Sequence, residues 1–261
     1  MILVDKEAGV TSHDVVDRIR RMYGKGVKVG HSGTLDPFAT GLLLILVGRA
    51  TRVQRVLMAL PKRYETIARL GWTSTTGDRD GEIAPGRMPA EPLALPTGTL
   101  LQRPHPYSAV KVGGRRAYDR SRAGEVVELA EREVQVSRFE LEWREEDRAG
   151  LAIDCSTGTY VRSLVADLGD AYCLELRRTG IGPFEVTDAD PERLLSLTDA
   201  LAFLPEVRLE GEQAKHASHG VAVPGEAEGE GMIRLTDEEG LIALALPRPD
   251  GLLKPTVGFR S

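Results

Sequence analysis

The sequence predicts an α+β protein built around a mixed, mostly antiparallel sheet, and three observations carry that expectation. Helical and strand periodicities follow one another without a regular βαβ repeat. The run from Leu42 to Val47 is apolar at every position and reads as a buried strand. Between Val134 and Cys155, Phe139, Leu141 and Trp143 alternate with polar residues, and so do Leu151, Ile153 and Cys155, which is the pattern of an antiparallel hairpin.

The elements follow in order. Met1 to Val4 reads as a first strand; Asp5 and Lys6 break it at once, so it is too short for a secretion signal or a membrane span. Ser12 can cap a helix over residues 13–23, with Val15, Val16, Ile19 and Met22 on one face and Gly24 at its end. A glycine-rich loop leads to the buried run, and Gly48 breaks the chain after it. A second helix fits residues 49–60, with Ala50, Val53, Val56, Leu57 and Leu60 apolar and Pro61 as the stop. Residues 64–71 read as a strand, and 82–96, rich in Pro, Gly and Ala, as a surface connection. Residues 145–150 supply the hairpin turn. A helix is expected over about residues 159–171, with Leu164, Val165 and Leu168 inward. Residues 224–232, rich in Gly and Glu, read as a loop inside a small β module. There is no internal repeat and no low-complexity tract.

Composition sets the class. The 261 residues suit one large domain, or one domain with a small appendix, and 28% charged against 41% hydrophobic residues fits a soluble globular protein. Cys155 and Cys173 show neither metal-ligand spacing nor a disulfide framework, so a cytoplasmic protein without a metal is expected. The net charge of −5 argues against a generally basic nucleic-acid binder, but the charge is unevenly placed. Residues 51–75 carry five Lys or Arg against one acid, and residues 101–122 carry six against one. From Leu201 onward ten acids face six bases. A basic face on an acidic protein can hold phosphates.

The stretch Gly30-His31-Ser32-Gly33-Thr34-Leu35-Asp36-Pro37-Phe38-Ala39-Thr40-Gly41 puts one carboxylate on a loop of small residues and breakers. Pro37 pushes Asp36 toward an extended conformation, just before the buried run. On local chemistry alone Asp36 is a turn residue. The whole string, however, resembles the signature G-H-x-G-T-L-D-P-x-A-x-G of the bacterial tRNA pseudouridine synthase B (TruB) family, matched at every fixed position. Two further segments match that family: Lys62-Arg63-Tyr64, as its K-x-Y motif, and Cys155-Ser156-Thr157-Gly158-Thr159-Tyr160-Val161-Arg162-Ser163-Leu164. A fourth, Gln102 to Lys111 continuing through Arg115 and Arg116, matches with His105 where the family has Pro.

The resemblance implies a pseudouridine synthase-type catalytic domain over 1–205 and a small β-rich, PUA-like RNA-binding domain over 206–261. It implies an isomerase that flips uridine 55 out of the tRNA T-loop and converts it to pseudouridine without a cofactor. Asp36 becomes the catalytic residue, Arg162 its ionic partner, and Tyr64 the ring that stacks on the base with an acid/base role. Tyr160 becomes a pocket wall and Leu176 an apolar pocket residue. His31 is expected to stack in the place of the flipped nucleotide, and Arg52, Lys111, Arg115 and Arg116 to contact RNA. The partner is the T-arm stem-loop of tRNA, met by a monomer without a protein partner or membrane. Whether Asp36 attacks C1′ or removes a C2′ proton stays open.

Three rivals stand beside this reading. A glycosidase needs a second carboxylate, and the matched motifs offer none. A catalytically inactive tRNA-binding or folding module would not need the Asp36, Tyr64 and Arg162 set. A guide-RNA-dependent relative would be expected to be longer. The chain also departs from the family: Glu7 follows Lys6 where Pro is usual, Ser74-Thr75-Thr76 replaces T-D-T, and a G-x-G-A-H insertion after Gly169 is missing. These departures bear on RNA grip and on the placement of Leu176.

Overall fold

The computed structural model describes residues 1–104, 111, 112, 114–116, 120, 125, 129–225, 229 and 231–260. In chain order the strands of the first part are β1 (Ile2–Lys6), β2 (Val29–His31), β3 (Thr40–Val47), β4 (Lys62–Leu70), β5 (Trp72–Ser74), β6 (Ile83–Pro85) and β7 (Gly98–Gln102). They continue with β8 (Lys111–Val112), β9 (Arg115–Arg116), β10 (Arg132–Glu145), β11 (Arg148–Cys155), β12 (Ala171–Ile181) and β13 (Phe184–Glu185). Nine of these form one sheet in the order β1-β3-β12-β4-β11-β10-β7, with β2 added on β3 and β13 on β12. Every pairing in it is antiparallel except β12 with β3, where Arg177 and Arg178 run parallel to Thr40 and Gly41. The sheet is therefore mixed and mostly antiparallel, as the sequence predicts.

The apolar run in β3 is continuous because the strand is covered on both faces. Leu43 and Ile45 pack with Val15, Val16 and Ile19 of the helix Ser12–Tyr23. Leu42, Leu44 and Leu46 face the opposite way, into a second cluster. All five leucines and isoleucines from 42 to 46 have no exposed surface, and each buried side chain of this size contributes roughly 1.5–3 kcal/mol.

A second sheet, β14 (Glu206–Arg208), β15 (Val223–Pro224), β16 (Ile233–Asp237), β17 (Gly240–Pro247) and β18 (Leu252–Gly258), has the order β14-β16-β17-β18-β15. The helix Gly211–Ser218 packs on it through Ala214 and Ala217. Its β17 also sends Leu241 and Leu244 into the same apolar cluster as Met1, Leu3, Leu42 and Leu44 of the first sheet, and Phe259 joins them. Arg49 and Arg52 clamp that junction by donating to the carbonyls of Phe259 and Gly258. Among the described residues no helix is long and apolar enough to cross a membrane. Both cysteines are free and buried.

Four local expectations are corrected. The first helix is capped by Thr11, whose hydroxyl and Asp14 form a reciprocal capping box, and Ser12 is already inside the helix. Residues 48–59 divide into a 3-10 turn, Gly48–Val53, and a short α-helix, Gln54–Ala59. The hairpin turn is only Glu146–Asp147, because Gly150 is a strand residue whose missing side chain leaves room for the Trp143 indole. The helix expected over 159–171 spans only Val161–Ala166; Gly169, with a φ of 122°, redirects the chain into β12. Leu164, Val165 and Leu168 are inward all the same.

Gly41 is where β3 meets β12. A Cβ there would sit 2.2 Å from the carbonyl oxygen and 2.7 Å from the nitrogen of Arg178, at a φ of 107°. Backbone cannot yield as a flexible side chain can. Gly41→Ala is therefore expected to destabilise the fold by roughly 2–4 kcal/mol, the sum of backbone strain and overpacking. Urea unfolding followed by circular dichroism measures this, with Gly26→Ala as a control at a position where a Cβ meets nothing within 4 Å.

Candidate active site

The Asp36 loop is fastened on three sides before any functional contact is made. The Ser12 hydroxyl donates to the carbonyl of Leu35 (3.1 Å) and accepts from its N–H (2.9 Å). The backbone N–H of Gly9 donates to the Pro37 carbonyl at 2.8 Å. Lys6, with no exposed surface, donates to the carbonyls of Glu7, Val10 and Pro37. From below, the buried Arg178 donates to the carbonyls of Gly33 (3.2 Å), Thr34 (3.3 Å) and Leu42 (2.8 Å). Burial presses the Lys6 ammonium down to about 8, and the nearby Asp36 carboxylate opposes that shift.

Arg162 stands in the first turn of the helix Val161–Ala166, where the helix dipole disfavours a cation. Two carboxylates compensate. Its Nε lies 3.0 Å from Asp36 Oδ2, and its Nη1 lies 3.1 Å from Asp78 Oδ2 and donates to the Thr76 carbonyl at 2.7 Å. The guanidinium is 3% exposed, whereas the Asp36 side chain keeps 33% of its surface open. Burial raises the Asp36 pKa above the usual aspartate value; Arg162 opposes this, and Asp78 adds to the rise.

Asp36 lines a cavity of about 320 Å³ together with Tyr64, Leu176, Tyr160, Lys62 and Arg178. That volume suits a single nucleotide-sized group. Tyr64 and Leu176 reach it from neighbouring strands, β4 and β12. Burial raises the Tyr64 phenol above its ordinary pKa, and the charge of Arg178 works against the rise. Tyr160 is a wall held from behind: Gln102 accepts from its backbone N–H (2.7 Å) and donates to its carbonyl (3.0 Å). The guanidinium carbon of Arg132 lies 4.9 Å from the centre of the Tyr160 ring. Lys62 spends donors on the carbonyls of Met58 and Leu60, and burial lowers it to about 8.

The structure thus brings Asp36, Tyr64, Arg162, Tyr160 and Leu176 to one cavity. His31 and Arg52 lie apart from its lining. His31 ends β2, pairs with Ile45, and accepts a hydrogen bond from Gln54 at its carbonyl. Arg52 is exposed and meets Gly258. Lys111 pairs with Arg116 across the short β8–β9 hairpin, which also contains Arg115; the side chains of these three lie outside the described residues. His105 also falls outside them.

Sequence reasoning missed three residues. Asp78 is buried behind Arg162; its signal was the turn Thr76-Gly77-Asp78-Arg79-Asp80, in which the Asp78 carboxylate accepts from the Thr76 hydroxyl and the Asp80 N–H. Asp78 is absent from the cavity lining, so it does not supply the second acid a glycosidase would need. Arg178 follows Arg177 in sequence but turns inward while Arg177 pairs with Asp5 at the surface. Lys62 was legible only as part of a motif. Among the described residues no group of three or more His, Cys, Asp or Glu is placed to hold a metal ion.

Comparison with known proteins points to one family. A family model described as "TruB family pseudouridylate synthase (N terminal domain)" matches residues 20–161, and one described as "Pseudouridine synthase II TruB, C-terminal" matches residues 205–259. The tRNA pseudouridine synthase B of Corynebacterium aurimucosum is 41% identical, over 97% of this chain and 85% of its own. That of Mycobacterium bovis is 39% identical, over 96% of this chain and 92% of its own. Among solved structures, a chain of a Cbf5-Nop10-Gar1 complex superposes with a TM-score of 0.70 at 24% identity, covering 99% of this chain and 83% of that one, which is a likeness of fold. With both family models and relatives of about 40% identity over nearly the whole of this chain in agreement, the chain belongs to the TruB family of pseudouridine synthases.

Proposed function

We propose that this protein isomerises uridine 55 in the T-loop of tRNA to pseudouridine. The observation that carries the reading is the Asp36 carboxylate, held by Arg162 at 3.0 Å on the wall of a cavity it shares with Tyr64 and Leu176. Relatives of about 40% identity that cover nearly the whole chain are tRNA pseudouridine synthases.

The reaction breaks the N1–C1′ bond, turns the base and joins C5 to C1′. The C5 proton then leaves and N1 gains one, so atoms and electrons balance without a redox partner. The target base must leave its stack, at a cost of a few kcal/mol. Tyr64 and Leu176 offer the extruded ring an aromatic and an aliphatic surface. Asp36 acts at the ribose, at C1′ as nucleophile or at the C2′ proton as base; the fixed Arg162 aims its carboxylate for either. His31 would stack in the gap left in the RNA, and Arg52, Lys111, Arg115 and Arg116 would contact phosphates. Residues 1–205 would act as the catalytic domain and 206–261 as a PUA-like RNA-binding domain. The protein would work as a cytoplasmic monomer on bare tRNA, without guide RNA or protein partner.

Release of tritium from 5-tritiated uridine in an unmodified tRNA transcript, with no other component, tests the activity. Asp36→Asn should abolish release while tRNA affinity stays within about tenfold, because phosphate contacts dominate binding. More than a few percent residual turnover would remove Asp36 from the chemistry.

The pH dependence has a defined sign. Only the ionised carboxylate can act, and burial raises its pKa. The single-turnover rate should therefore fall on acidification at a pH above the ordinary aspartate range. Arg162 holds the pKa down, so Arg162→Lys, which loses the planar fork, should move that acid limb to higher pH as well as slow the reaction.

Salt separates phosphate contacts from ordinary surface charge. The logarithm of tRNA affinity should fall linearly with the logarithm of salt concentration. Reversing Arg115 and Arg116 to Glu should weaken binding and flatten the slope; an unchanged slope would place them off the RNA.

A further inference from the structure

The charges around Asp36 are matched in pairs, whereas those around Tyr64 are not. Arg178 has 1% of its surface exposed, and no carboxylate among the described residues pairs with its guanidinium. It donates instead to the carbonyls of Gly33, Thr34 and Leu42, and its charge acts on the neighbouring Tyr64 phenol. Tyr64 and Arg178 are direct cross-strand partners on β4 and β12, and a β-bulge follows between Arg178 and Gly180. Both side chains line the cavity that contains Asp36. A buried cation without an anionic partner is costly unless an anion develops beside it. Of the other buried cations lining the cavity, Arg162 is paired with Asp36 and Asp78 and Lys62 is turned to the Met58 and Leu60 carbonyls, which leaves Arg178 as the cation set against the phenol.

We propose that Arg178 is a positioning residue that fixes the Tyr64 oxygen beside the cavity as the acceptor of the C5 proton of the target uracil. This rests on the isomerisation described above. In the step concerned Tyr64 first gives its phenol proton to water; the C5–H bond then breaks and its proton passes to the Tyr64 oxygen, which restores the phenol. The electron pair closes the C5–C6 double bond, the C6–N1 pair moves to N1, and N1 takes a proton from water. The contacts to Gly33, Thr34 and Leu42 anchor the guanidinium itself, so that it meets the phenol in one geometry.

The test is single-turnover conversion, at saturating enzyme, of tRNA carrying protium or deuterium at C5 of the target uridine. Arg178→Lys keeps a cation but cannot hold three carbonyls while facing the phenol. It should slow conversion at least tenfold and raise the protium-to-deuterium rate ratio at least twofold above the wild-type ratio, because proton removal becomes limiting. In a Tyr64→Phe background the same substitution should slow conversion by no more than about twofold. A slowed rate with the wild-type isotope ratio, or slowing that multiplies with Tyr64→Phe, would mean that Arg178 acts only through the Asp36 loop and would overturn the proposal. Should Arg178→Lys fail to fold, Arg178→Gln, which keeps N–H donors and removes the charge, carries the same comparison. Tyr64→Phe showing the wild-type isotope ratio would also overturn the proposal. A failure of the activity itself reads differently: the wild-type enzyme would then yield no pseudouridine from either substrate.

Discussion

The structure depends on keeping one guanidinium charged in a place where water barely reaches. Arg162 is almost fully buried at the start of a helix, where both desolvation and the dipole oppose it. It is tolerable only with both of its carboxylates in place: Asp36 from the loop before β3 and Asp78 from the turn after β5. Three segments far apart in sequence must therefore converge within hydrogen-bond distance. The strand order places β12 and β4 next to each other, with β3 and β11 outside them, and so makes that convergence possible. Removing either acid would leave an uncompensated buried charge, which ties stability to the same atoms proposed to perform the chemistry.

The fastenings of the Asp36 loop follow the same logic. Neutral carbonyls at Gly33, Thr34, Leu35 and Pro37 are each taken up by a buried donor, from Arg178, Ser12 or Lys6, and the Gly9 backbone adds a second bond to Pro37. A loop with its carbonyls satisfied from inside has little freedom to move, so the carboxylate it carries is oriented before substrate arrives. The part of Asp36 left open faces the cavity, and the part that is covered faces its ionic partner.

What was legible in the sequence follows from how local each cause is. Asp36, Tyr64 and Arg162 could be named because each sits in a dense string of special residues, and β3 could be placed because burial on two faces leaves six consecutive apolar letters. The β10–β11 hairpin was clear from alternation. Asp78 and Arg178 were hidden because their meaning is set by partners about 84 and 145 residues away, and nothing in the neighbouring letters distinguishes an inward arginine from Arg177 beside it. Ser12 looked like a cap because serine commonly is one; the structure gives the cap to Thr11 and spends the Ser12 hydroxyl on Leu35. Gly150 looked like a turn because glycine commonly marks one, yet it makes space for an indole. The third helix stopped early because Gly169 turns the chain so that Ala171 to Cys173 can pair with β4.

The apolar cluster shared by the two sheets has a consequence for how the molecule could be rebuilt. Leu241, Leu244 and Phe259 lie against Leu3, Leu42 and Leu44, and Arg49 and Arg52 fasten the C-terminal segment by its carbonyls. A chain cut between the two sheets would leave an oily scar on β1 and β3, the second of which leads out of the Asp36 loop. Grafting a different C-terminal module onto this body would therefore demand a matching apolar footprint as well as a suitable tether. The inheritance of the two parts as a pair has a mechanical reason in that seam: each serves as part of the other's interior.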